Sequence, residues 1–389
     1  MKKTLVALAA IASVSAFAQT TVSITGNLDM AGARFGGTML GQKGTTITTG
    51  NGTASTSAIN FIATEDIGGG TKVTAFYGID PRTFANDSFG VSTIVDSQAT
   101  AANGVTATGL SRHEVYVQAS GGFGSLKIGA PNAMGLDANG MGQPLGTGVG
   151  SGYATNSNTL MARSAAARYS RAVRFDSPVM NGLSAHFLFA PGGDQVAIDT
   201  GNSYGALQFP NARRATEVAF RYSNGPLNLI AVNIRGSAIT NVVGYYSYAS
   251  VSSVATTATS IGATNYNTVA ANYKFGDTTI YTQMGSGGSL NVPSAATVLA
   301  SDKSSRFGLK HTIGAVDLAI ASTTVNTAAV GTTGTVNQRV TGFNGTYNLS
   351  KTSAVYLGYE KYDSGVVAGT TNTTSGTRNI TSVGLRKSF

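Results

Sequence analysis

Stretches of about ten residues in which apolar and polar side chains alternate recur along the whole chain, and they constrain its fold more than any other feature. The last of them, TSVGLRKSF, puts Thr381, Val383, Leu385, Lys387 and Phe389 on one face of an extended strand and Ser382, Gly384, Arg386 and Ser388 on the other. The first, VSITGNLDMA, sets Val22, Ile24, Leu28 and Met30 against Ser23, Thr25, Asn27 and Asp29. Between them lie seven units of two such stretches. Their reversals fall at Asp66 to Thr71, Gly121 to Gly124, Ser177 to Gly182, Asn224 to Pro226, Gly276, Gly314 and Ser350 to Thr352, rich in residues that suit a tight turn. Seven hairpins with one strand at each end predict about sixteen strands, an even number. The stretch ITNVVGYYSYASV also alternates; it is read as an extension or a ribbon in a loop, with an eighteen-strand count left open.

The connections are unequal. Short turns join the two strands of each hairpin, while successive hairpins are joined by roughly 15 to 30 residues rich in Gly, Thr, Ser and Asn. A chain with one greasy and one wet face per strand, short turns at one end and long loops at the other, fits a transmembrane antiparallel β-barrel of all-β class. In hydrocarbon an unpaired peptide group costs several kcal/mol, so strands span a membrane only as a closed cylinder, apolar outside and free to be wet within. The same alternation keeps the apolar runs short: nothing approaches the roughly 18 uninterrupted apolar residues of a spanning helix.

The N-terminus carries an export signal. MKKTLVALAAIASVSAFAQT has two lysines, an apolar run and small residues at Ala16 and Ala18, which predicts cleavage between Ala18 and Gln19 and a mature single domain over 19–389. The chain has no cysteine, so in an oxidising compartment its stability rests on backbone pairing and burial. Charged residues make up 11%, against about a quarter in an ordinary soluble domain. Disordered chains are aromatic-poor, and the 16 Tyr and 16 Phe argue for ordered β-structure.

Read in order, VSITGNLD, TEDIGGGTK, GGFGSLKIG, RYSRAVRFDSPVMNG and VGLRKSF resemble the general diffusion porins of Gram-negative outer membranes, over essentially the whole mature chain. That resemblance implies a homotrimer of sixteen-stranded barrels in the bacterial outer membrane, bathed in its lipids and lipopolysaccharide and inserted by the barrel-assembly machinery. It implies that the terminal aromatic, here Phe389, is the assembly signal, and that the third outer loop folds into the lumen. On this chain that loop is PNAMGLDANGMGQPLGTGVGSGYATNSNTL. Relatives set an acidic loop tip against basic wall residues, whereas here Asp137 is the only carboxylate between Gly129 and Arg163.

Parity assigns the wall. Opposite Val115 and Val117 lie Arg112, Glu114, Tyr116 and Gln118; opposite Val173 and Phe175 lie Arg168, Ser170, Ala172 and Arg174. Arg112 and Arg168 match positions where such porins carry wall arginines, while Ala58 and Ile62 stand where a further part of the basic ladder is usual. Other expected lumen charges are Asp29, Glu217, Asp317 and Glu360 against Arg221, Arg235, Lys274, Arg306, Lys310 and Arg386, a balance that leans positive. Within a Debye length of about 8 Å such fixed charges are not screened away, which predicts a modest anion preference carried mostly by Arg112, Arg168 and Arg174. Arg171 breaks parity and points either to an outer rim or to a bulge. Tyr222, Tyr273, Phe275, Tyr347, Tyr359 and Tyr362 are assigned to interfacial girdles.

Other classes are disfavoured. His113, His186 and His311 sit in separate strands, the first and last on the apparent lipid side, with no serine and acid at recognisable spacing, so no enzyme is expected. No metal or cofactor site and no nucleic-acid tract is expected either. The readings that remain beside a pore for small ions and hydrophilic solutes are a solute-specific channel, which lumen aromatics such as Phe76 and Tyr116 would favour if they formed a run, and a barrel displaying its loops as an adhesin or receptor.

Overall fold

The computed structural model describes residues 20–38, 44–47, 54–55, 57–79, 113–144, 148–150, 168–169, 171–191, 214–237, 239–240, 260–261, 264–288, 301–329, 334–366 and 376–389. The segment expected to be an export signal, with its predicted Ala18–Gln19 cleavage site, Arg112, Ser170 and the third loop beyond Gly150 lie outside the described residues.

The wall is built from β1 (Thr21–Gly37), β2 (Ala58–Gly68), β3 (Thr71–Ile79), β4 (Val115–Gly121), β5 (Gly124–Ala130), β6 (Ala172–Asp176), β7 (Leu183–Ala190) and β8 (Ala215–Asn224). It continues with β9 (Leu227–Gly236), β10 (Thr264–Phe275), β11 (Thr278–Gly288), β12 (Ser301–Ile313), β13 (Val316–Ala329), β14 (Gly334–Asn348), β15 (Ser353–Val366) and β16 (Gly376–Ser388). Each strand pairs antiparallel with the next, and β16 pairs back on β1 from Asn27↔Ser388 to Gly37↔Arg378, so the sheet closes as a sixteen-stranded barrel. The seven reversals fall where the turn residues place them. A short strand, Gly44–Ile47, pairs along β1, and Ile239–Thr240 pairs with Ser260–Ile261 in a separate ribbon, so the described ends of that region are not wall strands.

Closure is completed by the terminal residue: the Phe389 N–H donates to the Gly26 carbonyl and the Gly26 N–H to the Phe389 carbonyl, both at 3.0 Å. Alternation is then read out as exposure. Val117 (55% exposed), Ile128 (58%) and Val383 (59%) face outward, whereas Ala172, Leu188, Glu217 and Ser382 on the opposite faces are buried. Outward apolar side chains left exposed in this way are what a lipid-facing surface requires. Among the described residues no helix is long and apolar enough to cross a membrane.

Candidate functional site

The lumen is the site, and a loop divides it. Between β5 and β6 the chain turns inward and forms helix α1 (Met134–Met141), which packs on the inner faces of β8, β9, β10 and β11. The cause is legible in β9: LNLIAVNIRG is apolar on both faces, and Ile230, Val232 and Ile234 would otherwise meet water in the lumen. They are instead buried with Met134, Ala138 and Met141 of the helix, together with Leu188, Ala219 and Ala270 of the wall.

Polar wall residues then fasten the loop. Ala133 offers no side-chain cap to α1, and the buried Glu217 supplies it from β8, on whose inner face the helix packs: one carboxylate oxygen accepts from the Met134 and Gly135 N–H groups at 2.6 and 3.1 Å, the other from Tyr169 Oη at 2.9 Å. Farther along, Gln283 donates to Asn139 (2.8 Å), Asn272 to the Met141 carbonyl (3.0 Å) and Arg306 to Gln143 (3.1 Å). The loop then reaches β14 and β15, where Asn344 donates to the Val149 carbonyl (2.9 Å) and the Gly150 N–H to Glu360 (3.3 Å). Gly150 lies at φ +87° with its Cα against Gly342, a contact too close for any side chain on either residue. The first loop is held in the same manner: Asp29 accepts from the Ala54 and Ser55 N–H groups (2.8 and 2.5 Å) and from Tyr356 Oη (2.6 Å). Glu114 accepts from the Asn132 N–H at 2.8 Å. Four carboxylates expected to tune the lumen electrostatically are thus hydrogen-bonded to loop backbone.

Arg174 ties the wall to the loop. Its guanidinium meets Asp137 of α1 at 2.9 Å, Asp176 at 2.8 Å and the Asn132 carbonyl at 2.7 Å, a buried cation between two carboxylates. Arg168 is half-buried and bridges Asn132, while Ala172 pairs with Gly129. Four steps along one strand therefore oppose three along the other. The extra residue falls beside Arg171, which is exposed and left-handed at φ 59°, so its broken parity marks a bulge. Of the other lumen charges, Lys274 is exposed near the short-turn end, Lys310 stands 3.9 Å from Asp317, Arg386 pairs in register with Asp29, and Arg306 is buried at 2% exposure beneath the loop.

Four assignments are corrected. Arg235 lies on the outward face, donating to Asn233, because the inward face of β9 is the one that backs the helix. Tyr362 is buried inward against Val325 and Val340, whereas Tyr273, Phe275, Tyr347 and Tyr359 are exposed outside. His113 precedes β4, where alternation does not yet apply, and lies beside Phe76 and Gly78 on the inner wall. His186 does have a serine and an acid: Ser184 Oγ is 2.9 Å from Nε2, and Nδ1 is 2.7 Å from Asp176. Strand pairing joins residues that sequence spacing keeps apart. The same carboxylate also holds Arg174 and stands 3.7 Å from Lys127, and the Ala185 N–H beside the serine donates to Ser177. The trio is therefore part of the wall's hydrogen-bond network.

Residues 4–366 match the sequence model of the family described as Gram-negative porin. Among solved structures, the anion-selective porin from Comamonas acidovorans superposes with a TM-score of 0.66 at 18% identity, covering 95% of this chain and 100% of its own. The trimer form of OmpT from Vibrio cholerae gives 0.61 at 13% identity, covering 95% and 99%. The outer membrane channel DcaP of Acinetobacter baumannii gives 0.58 at 10%, covering 95% and 97%. At these identities the likeness is one of fold. No curated protein sequence matches the chain.

Proposed function

The chain belongs to the Gram-negative porin family and is an outer-membrane β-barrel, and from that premise we propose that it forms a water-filled channel for passive diffusion of small hydrophilic solutes and ions, with a modest preference for anions. The observation that carries the preference is the fate of the lumen carboxylates. Asp29, Glu114, Glu217 and Glu360 each accept from loop N–H groups, and Asp137 and Asp176 flank Arg174. Of the basic residues oriented to the lumen, Arg221 and Lys274 are exposed, Arg386 is half-buried, and Lys127 is 18% exposed beside Asp176. Arg174, balanced by its two acids, serves in this reading to hold the loop, and the selectivity falls to Arg112, Arg168 and Lys127. The anion-selective porin from Comamonas acidovorans supports the same direction by fold alone.

The working unit in this reading is a homotrimer, exported by its cleaved N-terminal signal and assembled through the Phe389 strand. The test is a potassium chloride gradient across a planar bilayer holding the purified protein. A reversal potential of anion-selective sign is expected; a cation-selective sign would remove the preference, and a barrel that conducts no current would favour a loop-display role.

A further inference from the structure

The inner faces of β3, β4 and β5 lie outside the strands on which helix α1 packs, and there the wall carries aromatic rings. Phe76 and Tyr116 are cross-strand partners, and their rings stack with centroids 5.1 Å apart and planes 7° from parallel. His113 continues the column on the Phe76 side at 6.3 Å. On the other side of Tyr116 the cross-strand partner is Gly129, at φ +139°, where a side chain would collide with Val115 and Tyr116. The Lys127 ammonium stands 5.2 Å from the Tyr116 ring centre, and 3.7 Å from Asp176.

Resting on the pore reading, we infer that this ledge is a binding subsite for planar aromatic carboxylates in transit. Phe76 braces Tyr116 from behind, so its ring is held as a rigid platform, and Gly129 brings no side chain to the other side, where only the flexible Lys127 side chain lies over the ring and swings aside as a solute enters. A planar ring lying there gains offset-stacking contact, and its carboxylate meets the Lys127 ammonium at the end of the ledge. The pairing selects one chemical class. A neutral sugar uses the ring and not the charge; a small inorganic anion uses the charge and not the ring. An aromatic anion uses both. The neighbouring Arg174 does not compete for the solute, since its three nitrogens are already directed at Asp176, Asn132 and Asp137.

Single-channel recording of the reconstituted full-length protein separates the inference from the reading beneath it. Potassium chloride current establishes the pore, and its absence would overturn both. Given current, benzoate is expected to produce brief, concentration-dependent interruptions that acetate and glucose at equal concentration do not. Tyr116→Phe, which keeps the stack, is expected to retain the effect, and Tyr116→Leu to weaken it about fivefold. Lys127→Gln is expected to weaken benzoate block by a similar factor while leaving block by neutral benzamide unchanged. Benzoate behaving like acetate, glucose acting as strongly as benzoate, or benzoate and benzamide losing equally in Lys127→Gln would each overturn the subsite with the pore intact.

Discussion

The inner wall of this barrel has two halves built from the same strand pattern and put to opposite uses. From β8 to β15 it is covered at the level of the loop, and its inward residues there are a packing surface: Ile230, Val232 and Ala270 lie under α1, while Gln283, Arg306 and Asn344 point their polar groups into the loop rather than into water. From β2 to β5 the described residues leave the wall bare, and the inward positions are Ile62, Phe76, Tyr116, Gln118 and Lys127. The lesson is that a charge on the inner wall is not by itself a lumen charge. Arg306 and Lys127 share a parity class, but one is buried beneath Gln143 and the other keeps 18% of its side-chain surface exposed. In the covered half a mutation should first alter the loop and stability; in the bare half it should first alter which solute passes.

The largest effect that follows is for Ile230→Arg. Position 230 is 2% exposed under the helix, so the substitution places a cation in a packed apolar layer, at a cost of several kcal/mol unless the loop leaves. Expulsion of α1 is expected, read as a marked rise in single-channel conductance and rapid amide exchange at residues 134–141. Normal conductance with normal protection would mean that the covered half is not packed as a core.

Glu217→Ala comes next. It leaves the N–H groups of Met134 and Gly135 and the hydroxyl of Tyr169 without their carboxylate, at about 1–3 kcal/mol for each donor that stays buried. The expected outcome is a noisier channel and a lowered melting temperature, with ion selectivity changing less than conductance. Arg306→Met should be milder. Removing its donors strands acceptors on Gln143 and Thr323, a loss of about 1–2 kcal/mol, while the reversal potential barely moves because the charge lies beneath the loop. A selectivity shift as large as that of Lys127→Gln would erase the distinction between the halves.

Much of this fold could be read from alternation alone. The seven reversals, the strand count and the closing role of the last strand follow from a period of two and from Gly and Pro placement, because the membrane penalises any other use of such segments. The candidate site was legible only in part. Parity gave the faces of Asp29, Glu217, Glu360, Lys310 and Arg306, but not that the carboxylates cap loop amides, since that depends on where a loop of little intrinsic pattern settles. Reading charge as the sign of the lumen puts Arg235 inside. In β9 the reverse holds: the uncharged face, Ile230, Val232 and Ile234, is the inner one, and its double-sided hydrophobicity was the available signal that something covers it. The pairing of His186 with Asp176 and the Phe76, Tyr116 stack were invisible for a different reason: cross-strand neighbours are set by register, which spacing along the chain does not encode, whereas Ser184 stands two residues from His186 on the same face of β7.

The smallest effect gives the sharpest version of the comparison, because it repeats the first substitution in the other half. Ile62 is half-buried on the inner face of β2, opposite Phe76 and Ser23, at one of the two places where the basic ladder of related porins is missing. An arginine there meets the aqueous lumen instead of a packed helix and can lay its stem along Phe76, so barrel stability should stay within about 0.5 kcal/mol of the parent. Its charge adds to that of Lys127 on the same stretch of wall, and an ion passing close to that wall lies within a Debye length of about 8 Å at physiological salt. The anion-to-cation permeability ratio should therefore rise about twofold, and the rise should fade as salt is increased toward molar concentration. Ile62→Arg that destabilises the barrel as Ile230→Arg does, or that leaves the reversal potential unmoved at low salt, would show that β2 to β5 are covered as well and that the two halves do not differ.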